Sequence, residues 1–299
     1  MTGLTGWAGF GVVTGASLLF IVVLQAITFA VGRRLGHYNV VDVIWGFGFV
    51  GIGWIALILG GGDITRRWIL AVAVTVWGLR LTWHMLGKVR GKGEDPRYAK
   101  VLGENPSAGR VIRKIFGTQG AAQWFVSLPL QVSAVTHATH GIWWIVLIAG
   151  VVLWAVGISF EAIGDAQMTS FKSDPSNKGK IMDRGLWAWT RHPNYFGDSA
   201  VWWGMWLIAA SAWPGVLTVL SPVVMTYFLV FATGARLLEQ SMSKRDGYPE
   251  YQQRTSYFFP LPPKTREGRV VRATRHDRPA PSPNTSSPVD EFGLVAEFC

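Results

Sequence analysis

Several stretches of this chain run for many residues with almost no charge. The hydrocarbon core of a bilayer needs ~20 apolar residues per crossing helix, and a soluble globule would show shorter amphipathic segments instead. The chain therefore reads as an all-α, polytopic membrane protein with about seven spans, near residues 7–31, 40–60, 68–87, 115–136, 141–163, 199–213 and 215–233. The fourth carries Gln119, Gln123, Pro129 and Gln131. The sixth is short and is expected to pair with the seventh as a tight hairpin through Trp213-Pro214. Residues 7–31 are too long and too closely followed by further spans to be only a cleaved leader, and are expected to stay.

Lys and Arg crowd the segments 32–39, 88–114, 164–198 and the region after 233, whereas the opposite loops carry only Arg66 and Arg67. The positive-inside rule places the crowded segments in the cytoplasm, with the N-terminus outside and the C-terminus inside. That bias, together with attraction to anionic lipid headgroups, accounts for most of the net charge of +10. A soluble basic domain is missing, so nucleic acid is not an expected partner. The lone cysteine, Cys299, excludes a disulfide framework or a cysteine metal site within one chain. Residues 1–264 form the expected membrane domain. Residues 265–299, rich in Arg and then in Pro and Ser, read as a disordered tail whose last residues could be a cloning remnant.

Ionisable residues inside apolar spans are costly and mark functional positions. Asp42, near the start of the second span, could polarise or protonate a substrate group, or could be an interfacial carboxylate held by an Arg. Arg80 shares a helix face with Trp77 and His84 and could be Asp42's charge partner, a ligand contact or part of a buried ion pair. Glu161, Asp165, Met168 and Lys172 share one face at the end of the fifth span. Close behind comes Thr190-Arg191-His192-Pro193-Asn194-Tyr195-Phe196-Gly197-Asp198, the densest polar cluster at a membrane boundary. Arg and Lys suit phosphate, and Asn suits a carboxamide or ribose hydroxyl. Together the two clusters favour a nucleotide-like ligand. Gly46-Phe-Gly48-Phe-Val-Gly51 matches a dinucleotide-binding pattern, but that pattern has meaning only between a strand and a helix; here close helix packing is the better account. His137 and His140 lack a third ligand, and no metal is expected.

Three segments resemble the steroid 5α-reductase superfamily, nearest to its bacterial branch of uncharacterised membrane proteins. They are Asp165-Ala-Gln-Met-Thr-Ser-Phe-Lys172, Arg191 to Asp198, and Gly247-Tyr248-Pro249-Glu250-Tyr251 with Phe259-Pro260. The resemblance covers roughly residues 35–263. It implies seven helices enclosing NADPH from the cytoplasmic side, and hydride transfer to a lipophilic α,β-unsaturated carbonyl compound that enters from the bilayer. It places Asn194 and Asp198 at the nicotinamide end, and Arg191, His192 and Tyr195 of the same motif among the cofactor-binding residues. Asp165, Lys172 and Lys180 fall at the adenosine and phosphate portions, and Arg97 and Arg236 against phosphate charge. Asp42 stands where the family has its catalytic glutamate, one methylene shorter. Trp77 stands where the family has a tyrosine. An indole donates a hydrogen bond but passes no proton, and Tyr38 or Tyr98 could substitute.

Membrane methyltransferases of the isoprenylcysteine and phospholipid type share much of this pattern. Arg191-His192-Pro193, Glu239 and Tyr248-Pro-Glu-Tyr251 fit them as well, with S-adenosylmethionine as the ligand. Asn194 followed by Asp198, and the Asp165/Lys172 face, favour the reductase. A non-catalytic protein that binds membrane lipids is a third reading, and the density of polar residues argues against it.

Overall fold

The computed structural model describes residues 4–232 and 234–264. The expected tail at 265–299 lies outside the described residues. Among these the fold is helical, with two isolated bridges, Leu4 to Gly60 and Thr190 to Ser256, as its only β-type contacts. The helices are α1 (Gly6–Leu35), α2 (Val40–Leu59), α3 (Ile64–Val89), α4 (Pro96–Leu102), α5 (Ala108–Val111), α6 (Thr118–Val126), α7 (Leu128–Ser133), α8 (Trp143–Ser173), α9 (Pro193–Ala210), α10 (Leu220–Tyr227), α11 (Ala235–Met242) and α12 (Tyr248–Arg254).

Five segments are long and apolar enough to cross a membrane: α1, α2, α3, α8 and the run Gly215–Met242 that contains α10 and α11. Their packing agrees with a lipid surround. In α1 the buried residues are Gly9, Val13, Ser17, Ile21, Gln25, Thr28 and Gly32, a single stripe at helical spacing. The other faces of α1 are also apolar, and Leu19, Val22 and Ile27 lie exposed. A helix apolar all round but buried along one stripe needs an apolar solvent on its remaining surface.

The expected fourth and sixth spans are not among the five. Residues 115–136 do not form one helix. A π-helical turn, Ile112–Gly117, leads into α6, and the chain breaks at Ser127 before α7. Pro129 explains the break, because proline lacks an N–H and clashes with the preceding turn. The glutamines tie the broken segment to its neighbours. Gln25 Nε2 donates to Gln123 Oε1 at 2.8 Å, Gln123 Nε2 to the Trp45 carbonyl at 2.8 Å, and Thr14 Oγ1 to Gln131 Oε1 at 2.5 Å. The expected sixth span is α9, whose first turns are polar. It turns at Ser211–Gly215, through a cis Trp213-Pro214 bond, into the last apolar run, as a hairpin.

Two features position the polar end of the bundle. Phe49, Trp77 and Trp202 lock α2, α3 and α9 together, with ring centroids 4.6–5.6 Å apart. Trp77 is fully buried there, in the core. The second is a seam of glycines between α8 and α9. A Cβ on Gly157 would meet Val201 N at 2.6 Å, and one on Gly197 would meet Glu161 N at 2.5 Å. Gly150 and Gly204 repeat the arrangement two turns away. The backbones of α8 and α9 therefore touch, a packing that only small residues permit. The glycines of the second span serve the same end, since Gly46 lies against the backbone of Gly78.

Gly197→Ala should cost about 1–3 kcal/mol by forcing these backbones apart. Gly11→Ala, where a Cβ meets open space, should be nearly neutral. Thermal unfolding of the two variants in detergent checks this; equal melting temperatures would contradict the seam.

Candidate functional site

Three helices each bring a polar pair, spaced by one turn, to a single point. These are Arg80 and His84 of α3, Glu161 and Asp165 of α8, and Asn194 and Asp198 of α9. Arg80 forms a short ion pair with Glu161 and a second with Asp165, at 3.1 Å. His84 Nε2 stands 3.5 Å from Asp165 Oδ2, and Asn194 Nδ2 donates to Asp165 Oδ1 at 3.3 Å. The register of the glycine seam makes this possible, because Gly197 abuts the backbone of Glu161 and Gly164 abuts Pro193 and Asn194.

A cavity of about 460 Å³ opens on this point. Its walls include Glu161, Asp165, Asn194, Tyr195 and Asp198 on one side of the sequence and Asp42, Arg97 and Tyr98 on the other. Asp42 is held by the first turn of α4. The Tyr98 hydroxyl donates to Asp42 Oδ1 at 2.5 Å, and Arg97 lies 3.4 Å from Asp42 Oδ2. Local caps place that segment. Asp95 accepts from Arg97 N at 2.7 Å with Pro96 opening the helix. Glu94 accepts from the Tyr38 and Asn39 amides at 2.7 and 3.1 Å, which fixes it to the start of α2. Burial, and next the Asp42 carboxylate, raise the Tyr98 phenol above its ordinary range. It stays protonated and acts as a donor.

A second cavity, of about 360 Å³, lies between the end of α8, the loop that follows it, and α11 and α12. Met168, Phe171 and Trp187 give it apolar walls; Lys172, Lys178, Lys180, Arg191 and Arg245 give it charge.

The expected residues therefore divide. Asp42, Arg97, Asp165, Asn194, Tyr195 and Asp198 meet at the first cavity, and Lys172, Lys180 and Arg191 at the second. Arg80 does not pair with Asp42; it binds two acids of the first cavity, and Arg97 takes the Asp42 contact. Tyr38 lines neither cavity: its ring packs against Phe29 and Phe116. The phenol at Asp42 is that of Tyr98 instead. Arg236 is exposed and lines neither cavity.

His192 and Arg191 serve a different centre. Glu239 accepts from Arg191 Nε at 2.9 Å, Tyr248 OH at 2.6 Å and Gln252 Nε2 at 2.6 Å, and stands 3.1 Å from His192 Nε2. This carboxylate clamps α12 and the closing segment against the start of α9. Arg191 also donates to the carbonyls of Gln252 and Thr255, and Tyr251 OH to that of Trp187. The clamp was visible in the sequence only as a shared motif, because its partners lie 47–64 residues apart.

The chain belongs to the family described as "Protein of unknown function (DUF1295)", which matches residues 28–255. A shorter stretch is 41% identical, over 49 residues, to the "Probable O-methyltransferase ustE" of Ustilaginoidea virens. That match spans 16% of this chain and 17% of the fungal protein. No solved structure matches the chain significantly.

Burial holds the His192 imidazole below its ordinary pKa despite the Glu239 carboxylate. Its Nδ1 is buried without a partner, as suits a neutral ring donating through Nε2. The unfolded chain then gains a proton near pH ~6.5 that the folded chain refuses. Stability should fall as pH drops through and below that value, by at most ~1.4 kcal/mol per pH unit from this group. His192→Gln should flatten the slope of melting temperature against pH between neutral and mildly acid buffer; an unchanged slope would contradict the assignment.

Proposed function

We propose that this protein is a membrane-embedded, NADPH-dependent reductase of the C=C bond of a lipophilic α,β-unsaturated carbonyl compound, of the steroid 5α-reductase type. The observation that carries the reading is the Asp42–Tyr98 pair at 2.5 Å, on the same cavity as Asn194. Such a chemistry needs a donor pair for a carbonyl oxygen that gains negative charge, and a separate site for a nicotinamide carboxamide. A volume of about 460 Å³ lies within the ~300–1,000 Å³ of small-molecule sites.

The residues fit the cofactor by their donor and acceptor character. Asn194 Oδ1 is buried without a hydrogen-bond partner, and an amide N–H₂ would satisfy such an acceptor. Lys88, Arg97 and Lys114 line the same cavity and would meet phosphate charge. When bound, the reduced nicotinamide supplies a hydride. The chain's own part is to hold the substrate oxygen. For Tyr98 to donate its single O–H to that oxygen, Asp42 must take up a proton and donate in turn to the phenol oxygen, reversing the bond between them. Donors aimed at a developing oxyanion act most strongly where water is excluded.

The same reading places seven crossings in a bacterial inner membrane, with the N-terminus outside. Its support is the concentration of Lys and Arg at 88–114 and 164–198. The substrate would come from the bilayer, and membrane lipids are the natural surround of α1.

A methyltransferase using S-adenosylmethionine is the second reading, favoured by the printed name of the fungal relative. Glu239 speaks against it, because this acid of the shared motif is engaged by four donor groups and lines neither cavity.

Tyr98→Phe and Asp42→Asn should each lower turnover by about 10²-fold or more; NADPH affinity should stay within about threefold in Tyr98→Phe, whereas Asp42→Asn also frees Arg97 from its ion pair and is expected to change affinity. The assay is enone-dependent loss of reduced-nicotinamide absorbance. Undiminished turnover in both variants would remove the pair from the chemistry.

A further inference from the structure

The closing segment carries large apolar side chains on a surface that the helix bundle leaves open. Residues 255–261 run beside the loop before α9 and are fixed there by hydrogen bonds. Arg191 N donates to the Ser256 carbonyl at 2.9 Å, Leu261 N to that of Trp189 at 3.0 Å, and Thr190 Oγ1 to that of Phe258 at 2.8 Å. Phe258 turns inward and is buried. Phe259, Leu261 and Trp189 turn outward, 69, 56 and 46% exposed. Lys264, three residues on, is exposed as well.

This patch continues the outer side of α8, one of the five helical segments able to cross a membrane. Ile145, Ile148, Val152, Val156 and Ile163 are exposed there at helical spacing, as one apolar stripe. Phe160 flanks the stripe one turn after Val156, and its ring meets Phe196 of α9 at 5.2 Å. Phe196 in turn meets Phe258 at 5.9 Å and Phe259 at 6.2 Å. A row of rings thus leads from α8 to the closing segment.

Helix length sets the depth. α8 opens at Trp143 and Trp144, both exposed, and indoles collect at membrane boundaries. A hydrocarbon core of ~30 Å takes ~20 residues at ~1.5 Å each, which reaches from these indoles to the neighbourhood of Ile163. Phe160 lies within that length, and tilting the helix only brings it further inside. The Phe259 ring, joined to Phe160 through Phe196, therefore stands where acyl chains meet headgroups.

We infer that the closing segment is a membrane anchor: Phe259, Leu261 and Trp189 enter the boundary between acyl chains and headgroups at the C-terminal end of α8, and the occupant of the patch is lipid. Aromatic and aliphatic side chains accompanied by a cation suit that boundary, with Lys264 placed for anionic headgroups. The clamp on Glu239 is then fastened to the bilayer as well as to α9. The inference needs α8 in lipid but holds for either cofactor.

The test is a nitroxide depth measurement on the full chain in vesicles of phosphatidylcholine and phosphatidylglycerol. With Cys299→Ser removing the lone cysteine, a label is attached in turn through Phe259→Cys, Leu261→Cys, Ile163→Cys and Lys178→Cys, the last on an exposed turn. Oxygen enters hydrocarbon, whereas a polar nickel chelate is kept out. The inference predicts an oxygen-to-nickel collision ratio at positions 259 and 261 near that at 163, and at least about fivefold above that at 178. Melting temperature reports folding, and Leu261→Cys answers the question should Phe259→Cys fail to fold. A ratio no higher than at 178 would put the segment in water and overturn the inference. Exclusion of both reagents would mean that protein, such as a second copy of the chain, covers the patch, and would overturn it too. A water-like ratio at 163 as well would sink the placement of α8 in lipid together with the inference.

Discussion

Backbone contact between α8 and α9 is the interaction on which the polar centre depends. With glycines at 150 and 157 facing glycines at 204 and 197, the two helices approach closer than side chains would allow. Axial register then becomes discrete, since each glycine fits only against its partner. Glu161 and Asp165 are thereby held level with Asn194 and Asp198, and Arg80 closes the group from α3. In lipid this packing has to come from contact and polar bonding, because water no longer drives apolar helices together. Burying several carboxylates beside one guanidinium is costly, and a seam that cannot slide is the kind of scaffold that can hold such a group in place.

The remaining architecture guards that arrangement from two directions. The Phe49–Trp77–Trp202 cluster locks α2 and α3 onto α9 in the core. Glu239 gathers Arg191, His192, Tyr248 and Gln252 at the outer edge of α9, and so pins α12 and the closing segment against the start of that helix. The Arg-His-Pro motif thus splits its work. Arg191 and His192 hold the strap, while Asn194, Tyr195 and Asp198 face the cavity. Substitutions in the first half and the second half should differ in kind, the former acting on stability and the latter on ligand.

What could be read from the sequence was what depends on local composition. The apolar runs located α1, α2, α3, α8 and the last span, and helical spacing grouped Glu161 with Asp165. The fourth run was less legible because Pro129 breaks it and its glutamines bond across to α1 and α2, partners that periodicity does not reveal. The same limit explains the site. Arg80 and Asp165 are 85 residues apart, and Tyr98 and Asp42 are 56 apart. Spacing along the chain could propose Tyr38 as readily as Tyr98, but only the fold shows that Glu94 ties the Tyr98 segment to α2 while Phe29 and Phe116 enclose the Tyr38 ring. Family membership covers residues 28–255 and leaves the chemistry to be argued from those contacts.

The most direct measurement is an experimental structure of the purified protein loaded with NADPH. The account predicts density for the nicotinamide in the cavity lined by Asp42, Tyr98, Asn194 and Asp198, with its carboxamide within hydrogen-bonding distance of Asn194. Dinucleotide density confined to the Lys172–Lys180 cavity, with the first cavity filled only by lipid, would contradict it.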